Sequence, residues 1–172
     1  MKKQYLGLII VISIVSLVLF SFILYNQWPL MVGKKVVLVT QPVDPFDLFR
    51  GQYMSINYEI SRINGVEGFG KGDSIYIILK EDKQGIWRKE KVSKSKPQAE
   101  YFIKGKIAYT YKGGVRVKYG IEQFFFENHA KLPTRNITVE IGVTNSGRAK
   151  LSHLLHNGKP IEIEYEKFDI KS

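Results

Sequence analysis

The chain has 172 residues, 44% of them hydrophobic and 13% aromatic, and a formal charge of +10 from 26 Lys and Arg against 16 Asp and Glu. This composition excludes a disordered tail and leaves enough chain for one core once the apolar N-terminus is set aside. The absence of cysteine excludes a disulfide framework, a thiolate metal site and a cysteine nucleophile, while the positive balance favours an anionic neighbour such as lipid headgroups or an envelope polymer.

From Tyr5 to Tyr25 the sequence reads YLGLIIVISIVSLVLFSFILY, an uncharged run long enough for a helix to cross a hydrocarbon layer about 30 Å thick. Lys2 and Lys3 precede it, so the positive-inside tendency predicts a cytoplasmic N-terminus and an exported C-terminal part; Lys34 and Lys35 blunt that asymmetry without reversing it. Phe20, Phe22, Leu24 and Tyr25 stand where signal cleavage needs small residues, which predicts an uncleaved anchor. Tyr25 and Trp28 suit the outer interface, and Pro29 is expected to end the helix. The expected organisation is a cytoplasmic N-terminus and membrane anchor over 1–27, a juxtamembrane linker over 28–35 and one extracytoplasmic β-rich domain over 36–172. The protein is thus a single-pass component of the cytoplasmic membrane with the bilayer as a partner, and nucleic acid is not an expected one.

Beyond the anchor, apolar residues recur with period two, the signature of half-buried strands. Met54, Ile56, Tyr58 and Ile60 share one face; so do Val115, Val117, Tyr119 and Ile121, then Ile137, Val139, Ile141 and Val143, and finally Ile161, Ile163 and Tyr165. Val36 to Val39 and Ile75 to Leu79 are continuous apolar runs, expected as more deeply buried strands. Asn64-Gly65, Gln84-Gly85, Gly113-Gly114 and Asn157-Gly158 supply turn chemistry between extended segments, and Asp44-Pro45 is able to cap one helical turn. These signals predict an all-β exported domain, an antiparallel sandwich or open barrel.

The candidates for chemistry are sparse. His153 and His156 lie three apart, which suits metal ligands on a helix but not on a strand, and the segment reads as the strand before the Asn157-Gly158 turn. Neither a metal nor another cofactor is expected; the glycines from Gly65 to Gly72 are spaced as turns rather than as a phosphate loop. A serine-lysine hydrolase works without cysteine or histidine, with Ser55 and Ser74 as its serines in strand context, and paired carboxylates are drawn from Asp44, Asp47, Glu122 and Glu127. Arg88 to Lys96, RKEKVSKSK, is the densest basic run and reads as an exposed strand end and loop.

The segment PVDPFDLFRGQYMSINYEI resembles the signature of the GDYXXLXY protein family, bacterial proteins named for that motif. The likeness rests on Arg50, Gly51, Tyr53 and Tyr58, led by Pro42, Asp44, Pro45 and Leu48, with GDSIYIILK, FIKGKI and YGIEQFFFE similar downstream. Gln52 stands where the motif has Asp, so a charge-dependent role of that carboxylate is not carried over, and Ile56 stands where it has Leu, a tolerable core exchange. The resemblance implies a membrane-anchored domain without an established activity, in a family sometimes linked with multi-span membrane proteins.

These readings converge on a non-enzymatic envelope module that binds another integral membrane protein or an anionic envelope component, with a membrane-anchored hydrolase as the alternative. The expected binding residues are Asp44, Asp47, Arg50, Gln52, Tyr53, Tyr58 and Glu122, because Arg, Asp and Tyr serve recognition well. Phe124, Phe125 and Phe126 run consecutively, so their strand is either covered on both faces, the favoured expectation, or it exposes an apolar patch.

Overall fold

The structure, a computed structural model, describes residues 3–41, 53–125, 130–131, 136–161 and 164–165. Its one helix among them, α1 (Lys3–Val32), is apolar on every side; the stretch Tyr5–Val32 is long and apolar enough to cross a membrane and buries none of its most apolar window against the domain. A helix apolar all round suits lipid contact rather than the edge of a soluble core. Pro29 does not end it. The proline removes the N–H that would bind the Tyr25 carbonyl, and Arg148 Nη2 fills the gap, donating to that carbonyl at 3.3 Å. The expected linker over 28–35 is therefore the last turn of α1, Gly33, and the start of a strand. A partner more than a hundred residues downstream rescues the helix, which local sequence does not reveal.

Chain order after α1 is β1 (Lys34–Gln41), β2 (Tyr53–Ser55), β3 (Asn57–Tyr58), a 3-10 turn (Glu59–Ser61), β4 (Arg62–Asn64), β5 (Ser74–Glu81), β6 (Trp87–Ser93), β7 (Phe102–Tyr111) and β8 (Gly114–Lys118). Then follow β9 (Gln123–Phe125), β10 (Ala130–Lys131), β11 (Ile137–Val143), β12 (Ala149–His156), β13 (Lys159–Pro160) and β14 (Glu164–Tyr165). All pairings are antiparallel. One five-stranded sheet has the order β13-β12-β11-β1-β3, the other β4-β8-β7-β5-β6, and β2-β9 and β10-β14 are two-stranded. The inward residues of both large sheets meet in one core: Val36, Leu38, Val139 and Ile141 from the first, Ile63, Ile75, Ile77, Ile103, Val115 and Val117 from the second. Each such side chain stabilises the fold by about 1.5–3 kcal/mol relative to exposure.

The period-two reading holds for most strands, since Val115, Val117, Tyr119 and Ile121 are all buried, as are Val139, Ile141 and Val143. Val36 and Leu38, and Ile75, Ile77 and Leu79, are buried while the residues between them are half-buried, so these two runs carry one fully covered face rather than two. Ile163 lies outside the described residues. The stretch from Tyr53 breaks into β2, β3 and the 3-10 turn, which swings Ser61 into the core, where its Oγ accepts from the Tyr58 backbone N–H at 3.3 Å. Three of the four turn signals close hairpins: β5-β6, β7-β8 and β12-β13. Asn64-Gly65 does not, because β4 pairs with β8 and the Gly65 N–H donates to the Gly113 carbonyl; positive φ at Gly65 turns the chain away instead. The basic run becomes β6, an edge strand whose exposed Lys89, Glu90 and Lys91 discourage further strand addition.

β9 pairs with β2, and Phe125 is 71% exposed. The expectation of a strand covered on both faces is thus overturned, because Phe125 stands mostly exposed while Phe124 packs against the core; Phe126 lies outside the described residues.

Candidate functional site

Where β3 and its 3-10 turn meet the connection from β8 to β9, two tyrosines are exchanged. Tyr58 donates its hydroxyl to the Ile121 carbonyl, and Tyr119 donates its own to the Ile60 carbonyl, each at 2.6 Å. Both rings are buried, Tyr58 at 0% and Tyr119 at 8% exposure. Burial, and secondarily the Glu122 carboxylate, push both phenol pKa values well above their ordinary value. The backbone between them is tied by Ile56 N–H donating to the Glu122 carbonyl at 2.7 Å. The Glu122 carboxylate accepts from the backbone N–H groups of Tyr119 and Gly120, closing a turn in which Gly120 has φ of +82°.

Adjoining this clasp through Gly120 and Glu122 is a half-open cleft of about 440 Å³, lined by Ser55, Asn57, Arg116, Lys118, Glu122 and Gln123. The strand phase explains the lining: with Val115 and Val117 inward, Arg116 and Lys118 face out. Asn57 Oδ1 accepts from Arg116 Nη2 and fixes the guanidinium. Lys118 lies directly opposite Lys106 in the β7-β8 register, a like-charge pair that costs stability. Among the described residues, no carboxylate is ion-paired with Arg116, Lys118 or Lys106. Elsewhere the chain does neutralise its cations: Arg88 bridges Asp82 and Glu59 at 3.0 and 2.7 Å, and Lys34 pairs with Glu100.

Of the expected binding residues, Asp44, Asp47, Arg50 and Gln52 lie outside the described residues, as does the Asp44-Pro45 turn. Tyr53 is described by its backbone, paired with Phe125. Tyr58 is a core residue with its hydroxyl spent on Ile121, and Glu122 lines the cleft. Sequence reasoning passed over Asn57, Arg116, Lys118 and Gln123. The phase of the Val115 to Ile121 strand was a usable signal, since it places Arg116 and Lys118 together on the outer face.

For the hydrolase alternative, no lysine is buried among the described residues, and neither Ser55 nor Ser74 hydrogen-bonds to one. Ser152 Oγ lies 2.7 Å from His153 Nδ1, and Glu140 Oε1 lies 3.5 Å from the same nitrogen. A relay needs the nucleophile and the carboxylate on opposite ring nitrogens, so this cluster is a cross-strand contact, with His153 facing Glu140 in the β11-β12 register. His153 and His156 lie on β12, the strand before the Asn157-Gly158 turn, as the sequence predicts. No group of acidic residues and histidines that would hold a metal is present among the described residues.

The family profile for GDYXXLXY proteins matches residues 15–154, most of the chain. The chain belongs to the GDYXXLXY family. No curated protein and no solved structure matches it. In this member the last two named positions of the motif, occupied by Ile56 and Tyr58, are core residues at 2% and 0% exposure, and the residues between and before them, Asn57 and Ser55, face the cleft. The second half of the family signature therefore contributes Ser55 and Asn57 to the cleft lining and Ile56 and Tyr58 to the core.

Proposed function

We propose that this GDYXXLXY protein is a membrane-anchored binding module, its helix spanning the cytoplasmic membrane and its β-domain on the outer side, whose cleft receives an acidic segment of another integral membrane protein. The observation that carries the reading is the pair Arg116 and Lys118, held at a preformed cleft without a carboxylate partner among the described residues. Keeping two cations and the opposed Lys106 together costs stability, and a carboxylate-bearing partner offsets that cost. Arg116, oriented by Asn57, offers its remaining guanidinium donors to a carboxylate in fork geometry. Phe125, on the strand that begins at Gln123 of the cleft, adds an exposed aromatic of the type enriched at protein interfaces.

The test is a crosslinking pull-down from native membranes comparing the wild type with an Arg116→Ala, Lys118→Ala double variant of equal thermal stability. A membrane protein captured by the wild type and lost from the variant supports the reading. Equal capture by both chains, or capture of only an envelope polymer, contradicts it.

A further inference from the structure

The junction between helix and domain carries a second cationic feature, on the opposite strands of the fold. The β11-β12 hairpin runs back along the end of α1: Gly142 lies so close to the helix that an added Cβ would sit 2.2 Å from the Pro29 carbonyl oxygen. Beyond it, Arg148 donates to the Tyr25 carbonyl and stacks its guanidinium 3.8 Å over the Tyr25 ring, and Lys150 donates to Gln27 Oε1 at 3.0 Å. Neither is ion-paired with a carboxylate among the described residues, whereas Lys34 and Lys35, at the start of β1, contact Glu100 and Glu140.

The height of these two cations follows from the helix. At 1.5 Å per residue Tyr5 and Tyr25 are about 30 Å apart, the thickness of a hydrocarbon core. Trp28, Leu30, Met31 and Val32 continue the apolar surface beyond Tyr25 and are exposed on the helix. Covering them requires the bilayer interface to reach the last turn of α1. Arg148 and Lys150 touch the helix at Tyr25 and Gln27, about 8–10 Å short of Val32 along the axis, and so lie within the headgroup layer rather than above it. At that depth the anionic groups supplied by the surroundings are lipid phosphates, which match the free donors of a guanidinium and an ammonium.

We propose that the β11-β12 hairpin is a membrane foot in which Arg148 and Lys150 bind the phosphates of anionic lipid headgroups and hold the domain at a fixed height on the bilayer. The inference rests on the reading of α1 as a membrane span, though not on which side the domain faces. The absence of cysteine makes single-site labelling clean. The full chain, with Asn145→Cys in the foot or Lys112→Cys as control, is spin-labelled and placed in nanodiscs of phosphatidylcholine alone or with phosphatidylglycerol. Lys104 N–H bonds the Gly147 carbonyl, so Lys112, eight residues further along β7 and its turn, is roughly 25 Å from the foot.

Depth measured by power saturation is expected to place the Asn145 label at headgroup level and the Lys112 label in bulk water. The foot label should sit deeper in the anionic discs, and Arg148→Gln with Lys150→Gln should abolish that lipid dependence. An Asn145 label as water-exposed as the control overturns the foot, and a depth indifferent to anionic lipid or to the double variant overturns the binding of anionic headgroups. Carbonate extraction of the same chains separates the span from the foot: a released chain removes both together, while an integral chain with an exposed Asn145 removes the foot alone.

Discussion

Tyr58 and Tyr119 each spend a buried hydroxyl on a carbonyl of the other's segment, which ties together the two segments that flank the cleft. Tyr58→Phe leaves the Ile121 carbonyl unpaired, and Tyr119→Phe does the same to Ile60; each should cost about 1–3 kcal/mol, read as a lower denaturant midpoint. An unchanged midpoint in both would mean that water replaces the hydroxyls and that the clasp is not a fixed element. The raised phenol pKa values make the pH dependence one-sided. Because the folded chain keeps these protons where the unfolded chain releases them, the contribution is complete below the ordinary tyrosine value of about 10 and falls as pH rises beyond it. Alkaline unfolding followed by circular dichroism should therefore set in above about pH 10, and the double Phe variant should lose much of that sensitivity.

At the level of elements, sequence periodicity located the strands well, because covering one face of a sheet imposes alternation on every strand that takes part, as in Val115 to Ile121. It failed where a distant partner overrode the local rule. Pro29 lies inside the helix because Arg148 satisfies the carbonyl that it frees, and Asn64-Gly65 closes no hairpin because β8 claims β4. Phe124 and Phe125 were ambiguous for a related reason: consecutive aromatics do not disclose whether a second layer exists, and β9 proved to be part of a two-stranded ribbon. The junction of helix and domain is the element most sensitive to substitution. In Gly142→Ala the new methyl meets the Pro29 carbonyl at 2.2 Å, with the Leu30 Cα 3.3 Å away, and backbone on that side has little room to yield. We expect a loss of about 1–3 kcal/mol in detergent-solubilised full chain and faster proteolysis between α1 and β1. Unchanged stability and cleavage would mean that the helix end does not stay docked on β11.

For the molecule as a whole, the apolar N-terminal helix and the β-rich domain were both legible in the sequence and are present in the structure. The candidate site was less legible. The motif draws attention to its own Arg, Asp and Tyr, but Ile56 and Tyr58 of that motif are core, and the cations beside it come from β8, nearly sixty residues later. Only the fold brings Asn57 against Arg116. Under the two proposals, the anionic neighbour anticipated from the +10 charge would be met at the cleft by Arg116 and Lys118 and at the helix junction by Arg148 and Lys150.

The cleft of Asn57, Arg116, Lys118 and Gln123, as the proposed meeting place with an acidic membrane partner, is open to direct test. The most direct measurement places a photocrosslinking amino acid at Gln123, and for comparison at Lys112, in full-length chain within intact membranes. One discrete membrane-protein adduct is expected from Gln123, absent from Lys112 and weakened at high salt or by Arg116→Ala. Adducts equal from both positions, or a Gln123 adduct indifferent to salt and to Arg116, would contradict it.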